Sequence, residues 1–238
     1  MIRINKEKEC HHCKSVCIEY LRYFGEKTIY SFCSNTCFQQ SNLKAYDKSL
    51  IRIVEMGKCR KRLKFSNNMR KLWTDHVWWT RNYIISAASD LPDINDILDR
   101  LMLNQEHLGT LFGKFYGKKI GQEITGALKE HIQGAGNIID SVKKGTNDLT
   151  PGFIDSWYKN AEMIGNYLFN LNSDHWDKTI LIEAMYKHLD DTLSEATHRL
   201  NKEYYLDIQD YDKIVDHILV MADIFSQGII NQFPNKFK

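Results

Sequence analysis

Residues 60–238 of this 238-residue sequence contain no cysteine, and the whole chain has only 3 prolines and 13 glycines. This composition, with 43% hydrophobic residues, excludes collagen-like and disordered chains. No uninterrupted apolar run approaches the roughly 18 residues of a membrane-spanning helix. The first residues also lack the apolar stretch of a secretory signal. We therefore expect an intracellular protein, cytoplasmic or nuclear, that is not secreted and has no membrane partner.

The net charge is low as well, at +2, but it combines two segments of opposite sign. Residues 1–67 carry 14 Lys or Arg against 6 Asp or Glu, whereas residues 68–238 carry 18 against 24. Such asymmetry indicates parts with different partners. The sequence predicts three segments: a cysteine-rich domain at 1–48, a basic linker at 49–67, and a larger domain at 68–238.

Two short cysteine pairs predict a structural zinc site in the first segment. Cys10 and Cys13 form a C-x2-C pair, and Cys33 and Cys37 form a C-x3-C pair after 19 intervening residues. Four thiolates suit the closed tetrahedral coordination of structural Zn²⁺, whereas a disulfide framework would need an oxidising compartment. Metal binding would then supply much of the folding free energy of so small a segment.

The same residues resemble a known class of zinc finger. Cys10-x2-Cys13, followed by Phe-Cys-Ser-Asn-Thr-Cys-Phe at residues 32–38, resembles the FCS fingers of the MYM/TRASH-like, treble-clef type. The resemblance spans about residues 8–42. It implies a small treble-clef-like fold that binds structural zinc and contacts proteins or nucleic acids, without catalysis.

The densest run of positive charge lies in the predicted linker. A basic run of this kind can bind phosphates, which predicts a salt-dependent contact with nucleic acid. A solvated helix surface is the alternative interpretation. The candidate contacts are Lys58, Arg60, Lys61, Arg62 and Lys64.

Apolar residues recur every three or four positions from about residue 68, which predicts helices and not strands. The predicted helices span about 69–89, 93–112, 118–144, 150–171, 177–202 and 206–230. Long helices joined by short connections predict an antiparallel all-α bundle. We expect most acidic residues of the last helix, including Asp207 and Asp210, to form a solvated face. Arg81 and Arg199 are expected to form ion pairs with acidic residues, and the alternative is that they bind an anion in the bundle.

Several strings in this part resemble an uncharacterised family of all-helical bacterial proteins, over about residues 70–237. They are Asp-His-Val-Trp-Trp-Thr-Arg at 75–81, Trp-Tyr-Lys-Asn-Ala at 157–161, Met-Tyr-Lys-His-Leu at 185–189, and the stretch 221–234. Some members are labelled acetylglutamate kinase or glycosyltransferase. This chain has neither a glycine-rich phosphate loop after a strand nor alternating strands and helices. The resemblance therefore implies the helical fold and leaves the activity open.

Four predicted helices carry a histidine within their apolar stripe: His76, His131, His188 and His217. A bundle can bring such residues together in its core as metal ligands, although a lone core histidine more often hydrogen-bonds a carbonyl or a tyrosine. His76, His131 and His188 also match motif positions of the resembling family. They form the candidate second metal or ligand site, with Glu195 as a candidate fourth ligand. Imidazole and carboxylate together suit zinc, iron, nickel or manganese.

No catalytic residue can be assigned from sequence. The larger part has no nucleophile elbow and no cysteine, and its single Glu-x-x-His at residues 195–198 is one short of a di-iron site. Our leading hypothesis is an interaction or regulatory protein, in which the finger and linker contact protein or nucleic acid and the bundle is a scaffold or ligand sensor. One alternative is a metalloenzyme or metal sensor with a histidine site inside the bundle. Another is a structural or assembly protein.

Overall fold

The computed structural model describes residues 61–145 and 150–237 with their side chains, together with the backbone of Arg60 and of four short strands before it. The chain divides into two units, Met1–Lys64 with Lys238, and Phe65–Phe237. This boundary lies three residues before the predicted start of the larger domain.

The first unit contains two antiparallel strand pairs. Strand β1 (Lys8–Glu9) pairs with β2 (Val16–Cys17), and β3 (Leu21–Phe24) pairs with β4 (Ile29–Phe32). The predicted zinc ligands fall outside the described residues, so the treble-clef finger stays a prediction.

Six helices make up the second unit and the residues just before it. They are α1 (Arg60–Ser89), α2 (Ile94–Tyr116), α3 (Lys118–Lys143), α4 (Thr150–Leu171), α5 (Lys178–Leu200) and α6 (Tyr204–Gln232), and a short 3-10 helix (Pro234–Phe237) follows. The predicted all-α bundle is confirmed for residues 61–145 and 150–237.

Helix α1 begins nine residues earlier than predicted, inside the basic linker. Phe65, Met69, Leu72 and Trp73 are all buried, so the helical apolar stripe starts at Phe65. The basic residues at 60–64 form the first turns of the same helix. The last eight residues of the predicted linker, 60–67, are therefore helical.

Consecutive helices run antiparallel. Between α3 and α4, for example, Tyr167 forms a hydrogen bond with Glu123, and Asn160 forms one with Ala127. The later residue of α4 thus pairs with the earlier residue of α3, as antiparallel helices require. The contacts of α1 with α2 and of α5 with α6 follow the same rule. Helices α1, α3 and α5 consequently share one direction, and the other three share the opposite one.

Helices α2 and α3 pack against each other with almost no side chain between them. Gly117 alone connects them, at a φ of 96° that favours glycine. A Cβ on Gly121 would lie 2.6 Å from the Gly109 carbonyl oxygen and 3.0 Å from the Gly113 Cα atom. This hairpin therefore requires glycine at the crossing.

Helix α6 is long and apolar enough to cross a membrane by length and composition alone. Half of its most apolar 18-residue stretch is buried inside the bundle, where Ile214, Met221 and Phe225 belong to the core. The core helix of a folded domain passes the same test, so the finding is weak evidence for a membrane span.

Candidate functional site

Three of the four stripe histidines meet in the core of the bundle. The ring centroids of His76 on α1 and His188 on α5 lie 5.5 Å apart, and those of His131 on α3 and His188 lie 6.0 Å apart. Each of the three residues is only 2–3% exposed. The three helices that share one direction thus place an imidazole at the same level. We call these residues the histidine trio.

The backbone at each histidine is held by an additional hydrogen bond. The Thr80 hydroxyl donates to the His76 carbonyl at 2.8 Å, and the Thr192 hydroxyl donates to the His188 carbonyl at 2.7 Å, both from four residues further along the same helix. The carbonyl of His131, on α3, accepts a hydrogen bond at 3.0 Å from the indole N–H of Trp157, which lies on α4. The main-chain carbonyl of each of the three histidines therefore accepts a hydrogen bond from a side chain.

The ring of His131 has a defined tautomer. Its Nδ1 lies 3.1 Å from Asn160 Oδ1, and the Asn160 amide nitrogen donates to the Ala127 carbonyl at 3.2 Å. Because the amide nitrogen is used in that bond, Oδ1 accepts a hydrogen bond from Nδ1–H, which leaves a lone pair on Nε2. This is the arrangement of a metal-ligating histidine with its second nitrogen held in place.

The ring of His76 is held less tightly. The Gln105 Nε2 lies 3.2 Å from His76 Nδ1, 2.9 Å from the Leu101 carbonyl and 3.2 Å from Asn104 Oδ1. Two amide hydrogens thus serve three acceptors. Because an amide nitrogen only donates, the bond from Gln105 requires the tautomer of His76 that carries its hydrogen on Nε2.

His188 has the least satisfied ring of the three. Its Nδ1 is buried and has no hydrogen-bond partner within the described residues, although the ring is packed against both other histidines. A buried polar atom without a partner typically costs about 1–3 kcal/mol. In native proteins such an atom calls for an explanation, such as a bound ion or water.

The trio is uncharged at neutral pH. Burial lowers the pKa of His76 to about 3, with the neighbouring His131 contributing, and burial lowers the pKa of His131 to about 4. Burial and the other histidines hold the pKa of His188 well below its ordinary value. Neutral imidazole is the form that binds metal.

The fourth stripe histidine has a different role. His217 donates from Nε2 to the Ala184 carbonyl at 2.8 Å. His217 is thus a lone core histidine that hydrogen-bonds a carbonyl, and it provides a matched comparison for the trio.

Glu195 lies about two helical turns from the trio. It lies seven residues beyond His188 on α5, which is about 10 Å along the helix axis. Its carboxylate accepts from Arg81 at 2.5 Å. Burial, with Asp207 and Asp210 contributing, raises the pKa of Glu195 to about 7, against the opposing effect of Arg81.

Arg81 and Glu195 belong to a buried charge cluster that also contains Asp207 and Arg199. Arg81 contacts Asp207 at 2.6 Å, and Arg199 contacts the other oxygen of Asp207 at 3.3 Å. The prediction that Asp207 and Asp210 lie on a solvated face is wrong, because they are only 1% and 4% exposed. Both point into the bundle, where arginine, histidine, serine or lysine side chains bind them.

A small apolar cavity adjoins the trio. It has a volume of ≈ 20 Å³ and is lined by residues that include Thr80, Ala135 and Thr192, each four positions after one of the three histidines. That volume is enough for about one water-sized group.

The described residues show no preformed metal centre. In 61–145 and 150–237, no group of three or more His, Cys, Asp or Glu side chains is arranged to hold a metal ion. The predicted finger ligands Cys10, Cys13, Cys33 and Cys37 lie outside this part of the chain. So does Lys58 of the basic run, whereas Arg60, Lys61, Arg62 and Lys64 form the start of α1.

Sequence reasoning identified the trio but missed the residues that orient it. Asn160 and Trp157 both lie in the string 157–161, which drew attention only as part of a resemblance. Gln105, on α2, carried no signal in the sequence. Its role depends on a neighbour 29 positions away.

Comparison with known proteins does not assign the chain to a family. No protein-family model, no curated protein and no solved structure matches it. The two resemblances therefore stay predictions, and the function has to be inferred from the site itself.

Proposed function

We propose that this is an intracellular regulatory protein whose helical bundle senses a divalent transition-metal ion through His76, His131 and His188. One observation carries the proposal: three buried, neutral imidazoles from three separate helices lie in contact, and His188 Nδ1 has no partner among the described residues.

The spacing of the rings is close to that of a metal site. With a metal–nitrogen distance of about 2.1 Å and tetrahedral angles, the centroids of two ligating imidazoles lie about 5 Å apart. The two measured separations are 5.5 and 6.0 Å. The side chains would have to move to reach a common ion, because the described residues hold no group already arranged for one.

The surroundings also favour metal over proton binding. The lowered pKa values keep the rings unprotonated, so a metal does not have to displace protons at neutral pH. Asn160 holds His131 with Nε2 free, as a supporting residue does in a metal site.

The burial of the trio supports a sensor over an enzyme. A catalytic metal needs an open coordination position that substrate can reach, whereas the three histidines are only 2–3% exposed. A buried ion that joins α1, α3 and α5 would instead stabilise the assembled bundle.

The first segment supplies the contact to a partner in this proposal. Cys10, Cys13, Cys33 and Cys37 would bind structural zinc, and the basic residues near position 60 would contact a protein or nucleic acid. Its support is the cysteine spacing and the excess of positive charge over residues 1–67.

Zinc stoichiometry of the purified full chain tests the proposal. We expect two zinc ions per chain, falling to one in His188→Leu and to one in Cys33→Ser. The matched control His217→Gln should retain both, because that ring is satisfied by the Ala184 carbonyl. Reconstitution with Co²⁺ separates the sites, since only thiolate ligands give intense charge-transfer absorption.

The two halves of the proposal fail differently. A wild-type chain with a single zinc that is lost in Cys33→Ser and kept in His188→Leu would refute the bundle site. A wild-type chain with a single zinc that is lost in His188→Leu and kept in Cys33→Ser would refute the zinc finger.

A further inference from the structure

A second candidate site lies in a cleft between α3 and α4. It has a volume of ≈ 280 Å³, near the lower end of the range of about 300–1,000 Å³ for small-molecule sites. Trp73 and Phe112 line it and are only 3% and 1% exposed. Glu123 and Glu130 line it too and are exposed. The cleft therefore leads from solvent into the apolar core.

Two of the α3 residues that line the cleft are small. Gly126 and Ala127 line it on α3, and a Cβ built on Gly126 would meet nothing within 4 Å. Met163 and Ile164 line it from α4. An apolar space that the protein does not fill lacks dispersion contacts, which an occupant of suitable shape would restore.

The outer end of the cleft is acidic. The Tyr167 hydroxyl donates to the Glu123 carboxylate and so links α4 to α3. The ion pair of Glu123 with Lys119 is long, at 3.8 Å, and Lys119 is exposed. Glu130 forms no ion pair with any residue that the structure describes. Two incompletely neutralised carboxylates favour a cationic group.

The inner end offers one unused donor. The Trp73 Nε1–H is buried and has no acceptor within the described residues. A buried indole N–H normally finds a partner, because leaving it unpaired is unfavourable. An occupant with an oxygen at its inner end would supply that acceptor.

We propose that this cleft binds a small organic amine. Its ammonium group lies at Glu123 and Glu130, its apolar body packs between Ala127 and Ile164, and a hydroxyl or carbonyl oxygen reaches Trp73. This site goes beyond the proposed metal site and does not depend on it.

The cleft adjoins the histidine trio without including it. The ring centroids of Trp73 and His76 lie 5.5 Å apart. The Ala127 carbonyl accepts from Asn160, which in turn holds His131. An occupant would therefore contact two residues, Trp73 and Ala127, that bear on the trio.

Titration of the metal-free full chain with tyramine, in the presence of a chelator, tests the proposal. We expect the indole N–H resonance of Trp73, assigned from Trp73→Phe, to shift on binding while that of Trp176 does not. Removing the amine (4-ethylphenol) or reversing its charge (3-(4-hydroxyphenyl)propionate) should weaken binding by about tenfold or more. Removing the oxygen (phenethylamine) should weaken it by a smaller factor.

Variants of the cleft complete the test. Glu130→Gln should weaken tyramine binding several-fold, and Ala127→Leu should abolish it by filling the cleft. Glu162→Gln, an exposed carboxylate elsewhere on α4, is the matched control and should bind normally. Equal binding of 4-ethylphenol, or an unchanged Trp73 shift in Ala127→Leu, would overturn the proposal. The chelator separates either outcome from a failure of the metal site.

Discussion

The histidine trio and the charge cluster are two buried polar groups in one bundle, and they are satisfied in opposite ways. In the charge cluster each charge has a partner: Arg81 bridges Glu195 and Asp207, and Arg199 binds Asp207 again. The trio has no ionised partner. Its rings contact one another, and one ring nitrogen has no partner among the described residues.

This difference separates groups that hold the fold together from groups that remain available to a ligand. A buried, fully paired ion cluster is costly to disturb, because removing one partner leaves an uncompensated charge. Neutral imidazoles that lack full hydrogen bonding contribute little to folding and keep donor atoms free. We expect mutations in the two regions to affect stability very differently.

Arg81→Met should give the largest effect. It leaves Glu195 without its described cation, and Asp207 with one fewer, in a site where both carboxylates are 1–2% exposed. We expect a loss of roughly 3–5 kcal/mol in the free energy of unfolding, measured by urea denaturation. Lys187→Ala, which breaks the exposed pair with Asp191, is the control and should change stability by less than about 1 kcal/mol. A loss in Arg81→Met no larger than in the control would contradict the buried cluster.

The two regions should also respond to acid in opposite directions. The trio histidines have lowered pKa values, near 3 for His76 and near 4 for His131, so between about pH 6.5 and 4 the unfolded chain binds more protons than the folded one. They therefore leave the free energy of unfolding unchanged above about pH 6.5 and lower it increasingly as the pH falls below that value. The raised pKa of Glu195, about 7, acts in the reverse sense, because its protonation favours the folded state below pH 7.

Variants separate these two responses in metal-free protein. Replacing His188 by Leu should remove about 1.4 kcal/mol per pH unit from the acid dependence of unfolding free energy. Glu195→Gln should make that dependence steeper. Urea denaturation at pH 7, 6 and 5 measures both slopes. An unchanged slope in His188→Leu would mean that this ring is not buried in its neutral form.

The smallest effect should come from His188→Leu at neutral pH without metal. The substitution removes an unpartnered polar atom, so we expect a change in unfolding free energy of less than about 1 kcal/mol, in either direction. His131→Leu is the informative comparison, because it leaves Asn160 Oδ1 without its donor and should cost about 1–3 kcal/mol. Equal losses in the two variants would show that the rings are equally well satisfied.

The fold could be predicted from sequence because apolar periodicity is a local signal. Helices α2 to α6 begin and end within four residues of their predicted bounds. Helix α1 was predicted too short because its first turns are basic, and charged residues outside the core carry no periodic signal. Its start depends on the burial of Phe65, which only the folded chain shows.

The candidate site could be predicted only in part. Helical phase placed His76, His131 and His188 on inward faces, but it does not show which faces meet or at which level. Glu195 shares the stripe of His188, yet its carboxylate is taken up by Arg81, which lies 114 positions away in the chain. In the sequence, Asp207 is one of several nearby acidic residues, which indicates a surface position. In the structure, Arg81 and Arg199 bind it in the interior. Such pairings join residues that are far apart in the chain, so no local sequence pattern predicts them.

The three members of the trio come from three helices that do not follow one another in the chain, α1, α3 and α5. His76 and His131 are 55 positions apart, and His131 and His188 are 57 apart. No fragment that lacks one of these three helices can assemble the site, and a chain still being synthesised has at most two of its imidazoles in place until α5 is made. Any response that depends on the trio therefore requires that α5 has been synthesised and has packed against α1 and α3.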